Sequence, residues 1–271
     1  MELYVESTGE GHPIVFVHEF ASDHREWEPQ VRWFSRAYRC ITYNARGYPP
    51  SDVPADPDQY GWERAVDDLL AVLDGLDVPM AHLVGLSMGG YAVLQFAIRH
   101  PDRVSAVVAA AAGSGSGPAE RDTWPAVAAA IAEGFTTRGM AAMAQDIGTS
   151  ATRIQLRRKS PRAWQEFMDH LVEHSAIGMA NTMARYQARR PSLYDFQEQY
   201  VAMTTPVLLA LGDEDAPCLE TNLMLKRAIP GAGLWIHPRT GHAINLEEPA
   251  AFNAAAGAFF ADVERQAATA T

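Results

Sequence analysis

Three short apolar runs stand out along the chain, each closed by turn residues: 14–17, 82–86 and 207–211. Runs that stay apolar at nearly every position, without alternation, predict strands covered on both faces, as in the middle of a parallel sheet. Residues 104–112 predict another strand, although the alanines there are poor strand formers, and 40–43 a shorter one. Between these runs the period changes. After Pro57, Val66, Leu69, Leu70 and Leu73 recur at i, i+3, i+4 and i+7, which predicts a helix of about four turns with one apolar stripe. Val93, Phe96 and Ala97 repeat that spacing after Gly90, and Phe252, Ala256, Phe259, Phe260 and Val263 mark a last amphipathic helix with Pro249 in its first turn. Strands alternating with helices predict an α/β protein built on a parallel sheet.

The alternation stops at Gly113-Ser114-Gly115-Ser116-Gly117-Pro118, and no strand-like run returns until after Pro206. Helical patterns fill the gap, the clearest being the stripe Trp164, Phe167, Met168, Leu171 and Val172. The organisation expected is a core domain in two parts, 1–112 and 206–271, with a helical lid insertion at 113–205. Residues 151–190 carry eight Arg or Lys against three Asp or Glu, a net of +5 that leaves −16 for the rest of a chain whose total is −11. A basic lid docking on an acidic core is the expectation. The alanine-rich tail is expected to fray.

Composition narrows the function classes. A chain of 271 residues, 48% apolar and 20% charged, is an ordinary globular protein that needs neither disulfides nor a structural metal. The net charge of −11 disfavours nucleic acid and anionic membranes as partners. No window is long and apolar enough for a membrane span. The opening Met-Glu-Leu-Tyr-Val-Glu lacks the basic and apolar regions of a secretory signal, so the cytoplasm is the expected compartment. Cys40 and Cys218 have no zinc or redox spacing and read as reduced thiols.

Directly after the run 82–86 comes Gly85-Leu86-Ser87-Met88-Gly89-Gly90, followed by a helical pattern. G-x-S-x-G between a strand and a helix holds a serine on a sharp, strained turn, with glycines where side chains would strike the neighbouring elements. The following helix also aims its free N–H groups at the reacting atoms. A serine hydroxyl needs a general base, and that base an orienting carboxylate. Gly212-Asp213-Glu214-Asp215 follows the run 207–211, and Gly241-His242-Ala243 follows the short apolar run 234–236. Each group lies just past a predicted strand, so all three would gather at the carboxyl edge of one sheet. His12, His24, His82, His100, His170, His174 and His237 lack such a setting and read as surface or structural residues.

With these motifs the chain resembles the α/β-hydrolase superfamily over nearly its whole length. Its G-L-S-M-G-G and late G-H-A-x-x-x-E-x-P are similar to small bacterial esterases, enol-lactonases and cofactor-free haloperoxidase-type enzymes. The resemblance implies an α/β-hydrolase fold, with a mostly parallel twisted sheet and helices on both faces. It implies Ser87 as nucleophile, His242 as base and Asp215 as acid, with Asp213 and Glu214 as the lesser alternatives. It also implies an oxyanion hole from the backbone N–H groups of Phe20, in the turn His18-Glu19-Phe20-Ala21, and Met88. Glu19 departs from the family's glycine; the expectation is either a buried carboxylate paired with a cation such as Arg46 or a charge near the mouth of the site. Tyr48-Pro49-Pro50-Ser51 departs again, as a stiffer loop.

Serine at the elbow argues against dehalogenases and epoxide hydrolases, which carry aspartate there. Leu86 and Ala243 favour ester or lactone substrates over C–C bonds. Three readings follow: an esterase or lactonase working through a Ser87 acyl-enzyme, a C–C hydrolase or perhydrolase with the same triad, and a slow receptor suggested by Glu19. Trp124, Met140, Met143, Trp164 and Met183 are the candidate pocket residues, since aromatic and thioether side chains line adaptable apolar sites. The basic lid would suit a carboxylate-bearing substrate. The partner expected is a small molecule, with no cofactor and no metal implied.

Overall fold

The computed structural model describes residues 1–270. Its sheet has seven strands: β1 (Val5–Thr8), β2 (His12–Val17), β3 (Tyr38–Tyr43), β4 (Ala81–Leu86), β5 (Val104–Ala110), β6 (Val207–Gly212) and β7 (Gly233–His237). Their order across the sheet is β1-β3-β2-β4-β5-β6-β7, and all pairs are parallel except β1 with β3. The five apolar runs, and the short run 234–236, fall on strands, the run 104–112 leaving the sheet after Ala110. β1 had no comparable signal, because Val-Glu-Ser-Thr is a mostly exposed edge segment.

The pleat of the central strands sends alternate residues into two cores. Val15, Val17, Leu83 and Val107 join one cluster with α2 (Trp62–Gly75) and α3 (Met88–Arg99), while Ile14, Phe16, Val84 and Val108 join another. That second core is closed by α1 (Glu28–Phe34) and by the last helix, through Phe34, Phe252, Ala256 and Phe260. Helices therefore cover both faces, as continuous apolar strands require. The last helix runs Pro249–Ala270, so the expected fraying does not occur as far as Ala270, and Thr271 lies outside the described residues. His82, inside β4, stacks on Phe260 at 4.4 Å between ring centres and hydrogen-bonds Ser105 and Glu264; burial pushes it down to about 4, so it is a structural residue.

Between β5 and β6 the described residues form no strand. They form α4 (Trp124–Gly148), α5 (Ile154–Lys159), α6 (Pro161–Leu171), α7 (Ala176–Asn181), a π-helical turn at Thr182–Gln187 and α8 (Gln197–Val201). Gly139 interrupts α4 with φ 77°. Ion pairs tie this segment to acidic groups of the sheet domain: Arg153 to Glu19, Lys159 to Glu248 at 2.7 Å and Arg185 to Asp58 at 3.0 Å. Two tyrosines make further links, Tyr186 donating to the Met88 carbonyl at 3.0 Å and Tyr91 to the Pro191 carbonyl at 3.1 Å. After β6 come α9 (Ala216–Ala228), β7, α10 (Ile244–Glu247) and the terminal α11 (Pro249–Ala270). Among the described residues no helix is long and apolar enough to cross a membrane.

The turn from β4 into α3 is wedged against β2. A Cβ on Gly89 would collide with the carbonyl of Val17, and one on Gly85 with the carbonyl of Gly89. Both obstacles are backbone and cannot rotate away. Gly89→Ala is expected to cost about 3 kcal/mol or to yield no soluble protein. A thermal melt within a degree or two of wild type would contradict this packing.

Candidate active site

Ser87 sits between β4 and α3 at φ 53° and ψ −108°, a backbone state that side-chain-bearing residues rarely adopt. Its N–H donates to the Ala110 carbonyl at 2.8 Å, and its carbonyl accepts from Tyr91 at 2.9 Å, so the strained turn is fixed from both sides. The side chain faces a cavity of about 760 Å³.

Opposite it, the ends of β6 and β7 bring two loops together. Asp215 precedes α9 and is buried; its Oδ2 lies 2.9 Å from Nδ1 of His242, also buried. The neighbouring acids are occupied elsewhere. Asp213 accepts from the Thr240 N–H at 3.2 Å, and Glu214 bonds Gln155. The histidine loop is clamped by Glu247, which accepts from the N–H groups of Gly241 at 2.6 Å and Ala243 at 3.2 Å. That carboxylate is the Glu of the G-H-A-x-x-x-E pattern, and its place shows why it stands four residues after Ala243.

Burial alone would drive His242 toward neutrality. The charge and hydrogen bond of Asp215, helped by Glu19, outweigh it and raise the histidine above its ordinary value. With Nδ1–H given to Asp215, Nε2 is left for the cavity. Among the described residues no hydrogen bond yet joins it to Ser87, a looseness common in sites without substrate. Cys218 lies within 4.8 Å of Asp215 and His242, a trio able in principle to hold a metal ion. Its thiol is pushed well up by burial and donates to the Ala111 carbonyl at 3.2 Å, so it is a poor ligand.

The turn after β2 is pinned atom by atom. His18 Nδ1–H donates to the Glu19 carbonyl at 2.6 Å while its Nε2 accepts from Ala45 N–H at 3.0 Å. Burial pushes His18 down to about 4, so it stays neutral and holds this tautomer. The Glu19 N–H goes to Glu26 at 3.0 Å, and the Phe20 carbonyl accepts from Tyr48 at 2.8 Å. In a trans peptide the N–H opposes the preceding carbonyl. With the Glu19 carbonyl held by His18, the Phe20 N–H is turned the other way, and among the described residues no loop carbonyl takes it or the Met88 N–H.

The Glu19 side chain departs from expectation. Arg46 is taken by Asp68, at 2.7 and 2.5 Å. Glu19 pairs instead with Arg153 of the helical segment, and both are buried. The Glu19 carboxylate also comes within 3.9 Å of His242 Nε2, so it is at once a paired structural charge and a charge beside the site. Glu26, adjacent and buried, is pushed well up by burial and by the Glu19 charge. The sequence offered no sign of Glu26, nor of which of the eight cations of residues 151–190 would reach the turn.

The cavity is lined by Ser87, His242, Glu19 and Phe20 on one side and by the helical segment on the other. Trp124, Met143 and Met183 line it. Met140 and Trp164 do not. Trp164 donates to the Gly148 carbonyl at 2.8 Å and lies under Arg157, and Met140, just past the break at Gly139, packs against the core.

The α/β-hydrolase-fold family model matches residues 12–249. The chain belongs to the α/β-hydrolase family, an assignment that makes it a hydrolase. Among relatives of known sequence, this hydrolase is 27% identical over 241 residues to 3-oxoadipate enol-lactonase 2 of Acinetobacter baylyi, covering 89% of this chain and 85% of that one. Its structure is similar to the enol-lactonase of Burkholderia xenovorans LB400, with TM-score 0.85, 25% identity and 96% of each chain covered. A thermophilic esterase of Thermogutta terrifontis is equally similar, with TM-score 0.85 and 25% identity over 96% of this chain and 93% of that one.

Removing one partner of a buried ion pair strands the other. Arg153→Met is expected to lower stability by about 3–5 kcal/mol, with most of the loss recovered when Glu19→Gln is added. Denaturant unfolding of the single and double variants measures this, and additive losses would contradict the pairing.

Proposed function

We propose that this hydrolase cleaves small carboxylic esters or lactones by acyl transfer through Ser87. The observation that supports it most is the buried 2.9 Å bond from Asp215 to His242, facing the same cavity as a serine held at φ 53°. His242 Nε2 takes the Ser87 proton as Oγ attacks the substrate carbonyl. Asp215 holds the imidazole in the tautomer that leaves Nε2 free and stabilises the imidazolium that forms. Charge then builds on the carbonyl oxygen, where the N–H groups of Phe20 and Met88 receive it; the loss of one such donor typically costs about 10²–10³-fold in rate. His242 returns the proton to the leaving oxygen, which in a lactone remains tethered to the acyl chain. Water, deprotonated by His242, releases the acid from Ser87.

In this reading segment 113–205 is the lid, and it sets specificity through Trp124, Met143 and Met183. The similarity to enol-lactonases and an esterase supports the bond class. Glu19, the feature that favoured a receptor, weighs less now that its carboxylate is held by Arg153 and the Phe20 N–H is left open.

Ser87→Ala should reduce kcat on short 4-nitrophenyl esters by about 10⁴-fold or more without unfolding the protein. Activity retained within tenfold would sink the proposal. The base must be neutral, so kcat/KM should fall as pH drops through the His242 value, on an acid limb lying above the ordinary histidine value of about 6.5. Asp215→Asn removes the group that raises it, so that limb should move down while kcat falls. A wild-type profile flat to pH 5 would contradict the assignment of His242.

A further inference from the structure

Three guanidinium groups line the cavity, from Arg138, Arg153 and Arg190. Arg138 is matched by Asp146 at 2.6 Å and Arg153 by Glu19. Arg190 has no carboxylate partner among the described residues. Its Nε donates to Gln187 Oε1 at 2.9 Å, one terminal nitrogen to Ser116 Oγ at 3.4 Å and the other to the Ser114 carbonyl. All three acceptors are neutral, and a guanidinium has five N–H groups to place. Its faces meet aromatic rings, with the central carbon 4.7 Å from the centre of Tyr91 and 5.9 Å from that of Trp124.

Burial disfavours this charge and pushes Arg190 below its ordinary value, yet an arginine does not give up its proton near neutrality. A full positive charge therefore faces the cavity with donors to spare and no anion to answer it. The neutral hydrogen bonds and the rings offset part of the cost of holding it there, and an anion would offset more. Its position is also suited to substrate. Ser87 and Arg190 line the same cavity, and Tyr91, against which the guanidinium packs, follows Ser87 by one helical turn.

We propose that Arg190 is a carboxylate subsite: it receives the free carboxylate of a substrate whose ester or lactone carbonyl lies at Ser87. The fork of a guanidinium matches a carboxylate through two parallel hydrogen bonds, which fixes the substrate's direction as well as its charge. The preferred substrates are then monoesters of short dicarboxylic acids, or lactones with an acidic side chain. Gln187 and Ser116 hold the fork, and the rings of Tyr91 and Trp124 keep water from its faces. This inference rests on the reading of Ser87 as nucleophile.

The test compares 4-nitrophenyl hydrogen glutarate with 4-nitrophenyl pentanoate, which differ only in a terminal carboxylate against a methyl group. Wild type should prefer the glutarate by at least tenfold in kcat/KM, mostly through KM. Arg190→Met should bring the ratio to one or below, and Arg190→Lys, which keeps the charge but loses the fork, should restore part of it. A wild-type ratio at or below one, or a preference that survives Arg190→Met, overturns the subsite while leaving Ser87 in place. If neither ester is turned over, the reading of Ser87 fails instead. Calorimetric titration with monomethyl glutarate and methyl pentanoate then decides the subsite alone: tenfold tighter binding of the anion, lost in the Arg190 variant, supports it, and equal or weaker binding overturns it. Should Arg190→Met not fold, the Arg190→Lys ratio and the wild-type ratio carry the same decision.

Discussion

The site depends on how closely a helix can approach the end of a strand. At Gly85 and Gly89 the backbone of the turn lies against other backbone, the carbonyls of Gly89 and Val17, with no room for a Cβ. That contact leaves the chain one way round the corner, and Ser87 is carried into a left-handed conformation at its apex. Strain of this kind, of order 1–3 kcal/mol, persists only where the surrounding structure over-determines it. Here the sheet does so, because β4 is flanked on both sides by parallel neighbours. The same parallel arrangement brings the ends of β2, β6 and β7 to the serine.

Around that point buried polar groups fix one another, although Oε2 of Glu26 and Nε of Arg153 are left without a hydrogen-bond partner among the described residues. His18, held neutral, fixes the peptide between Glu19 and Phe20; Glu247 clamps the histidine loop; Asp215 and Glu19 both favour a charged His242. Two buried carboxylates, Glu19 and Glu26, lie side by side, and burial together with the Glu19 charge pushes Glu26 well up. Glu19 is matched by Arg153, which ties the helical segment to the turn that would bind the oxyanion. Anything that shifts that segment therefore acts on the site through an ion pair, in addition to changing the cavity wall.

Much of the architecture was legible in the sequence because the central strands are apolar on both faces, a signal that survives without long-range information. β1 was not legible, since an exposed edge strand of four residues has no such demand on its side chains. Nor was the length of the last helix, where alanines read as a fraying tail yet continue the helix to Ala270. In the site, Ser87, Asp215 and His242 were visible because each follows a strand in a glycine-marked turn. The pairings were not visible. Arg46 and Arg153 are equally plausible partners for Glu19 along the chain, and only the docking of the helical segment separates them. For the same reason helical spacing could not tell Met143 from Met140, or Trp124 from Trp164; Met143 folds back across the break toward Gly134, and Trp164 is tied to Gly148. Arg190 was one cation among eight, and its lack of a carboxylate is a fact of three dimensions alone.

The central claim is that the strained turn and the His242–Asp215 pair activate one serine. Labelling with a fluorophosphonate, read by mass spectrometry of the digested protein, tests it without assuming any substrate. The account predicts a single adduct on Ser87 in the wild type and none in Ser87→Ala. A wild type that takes no label, or takes it at another residue, would contradict it.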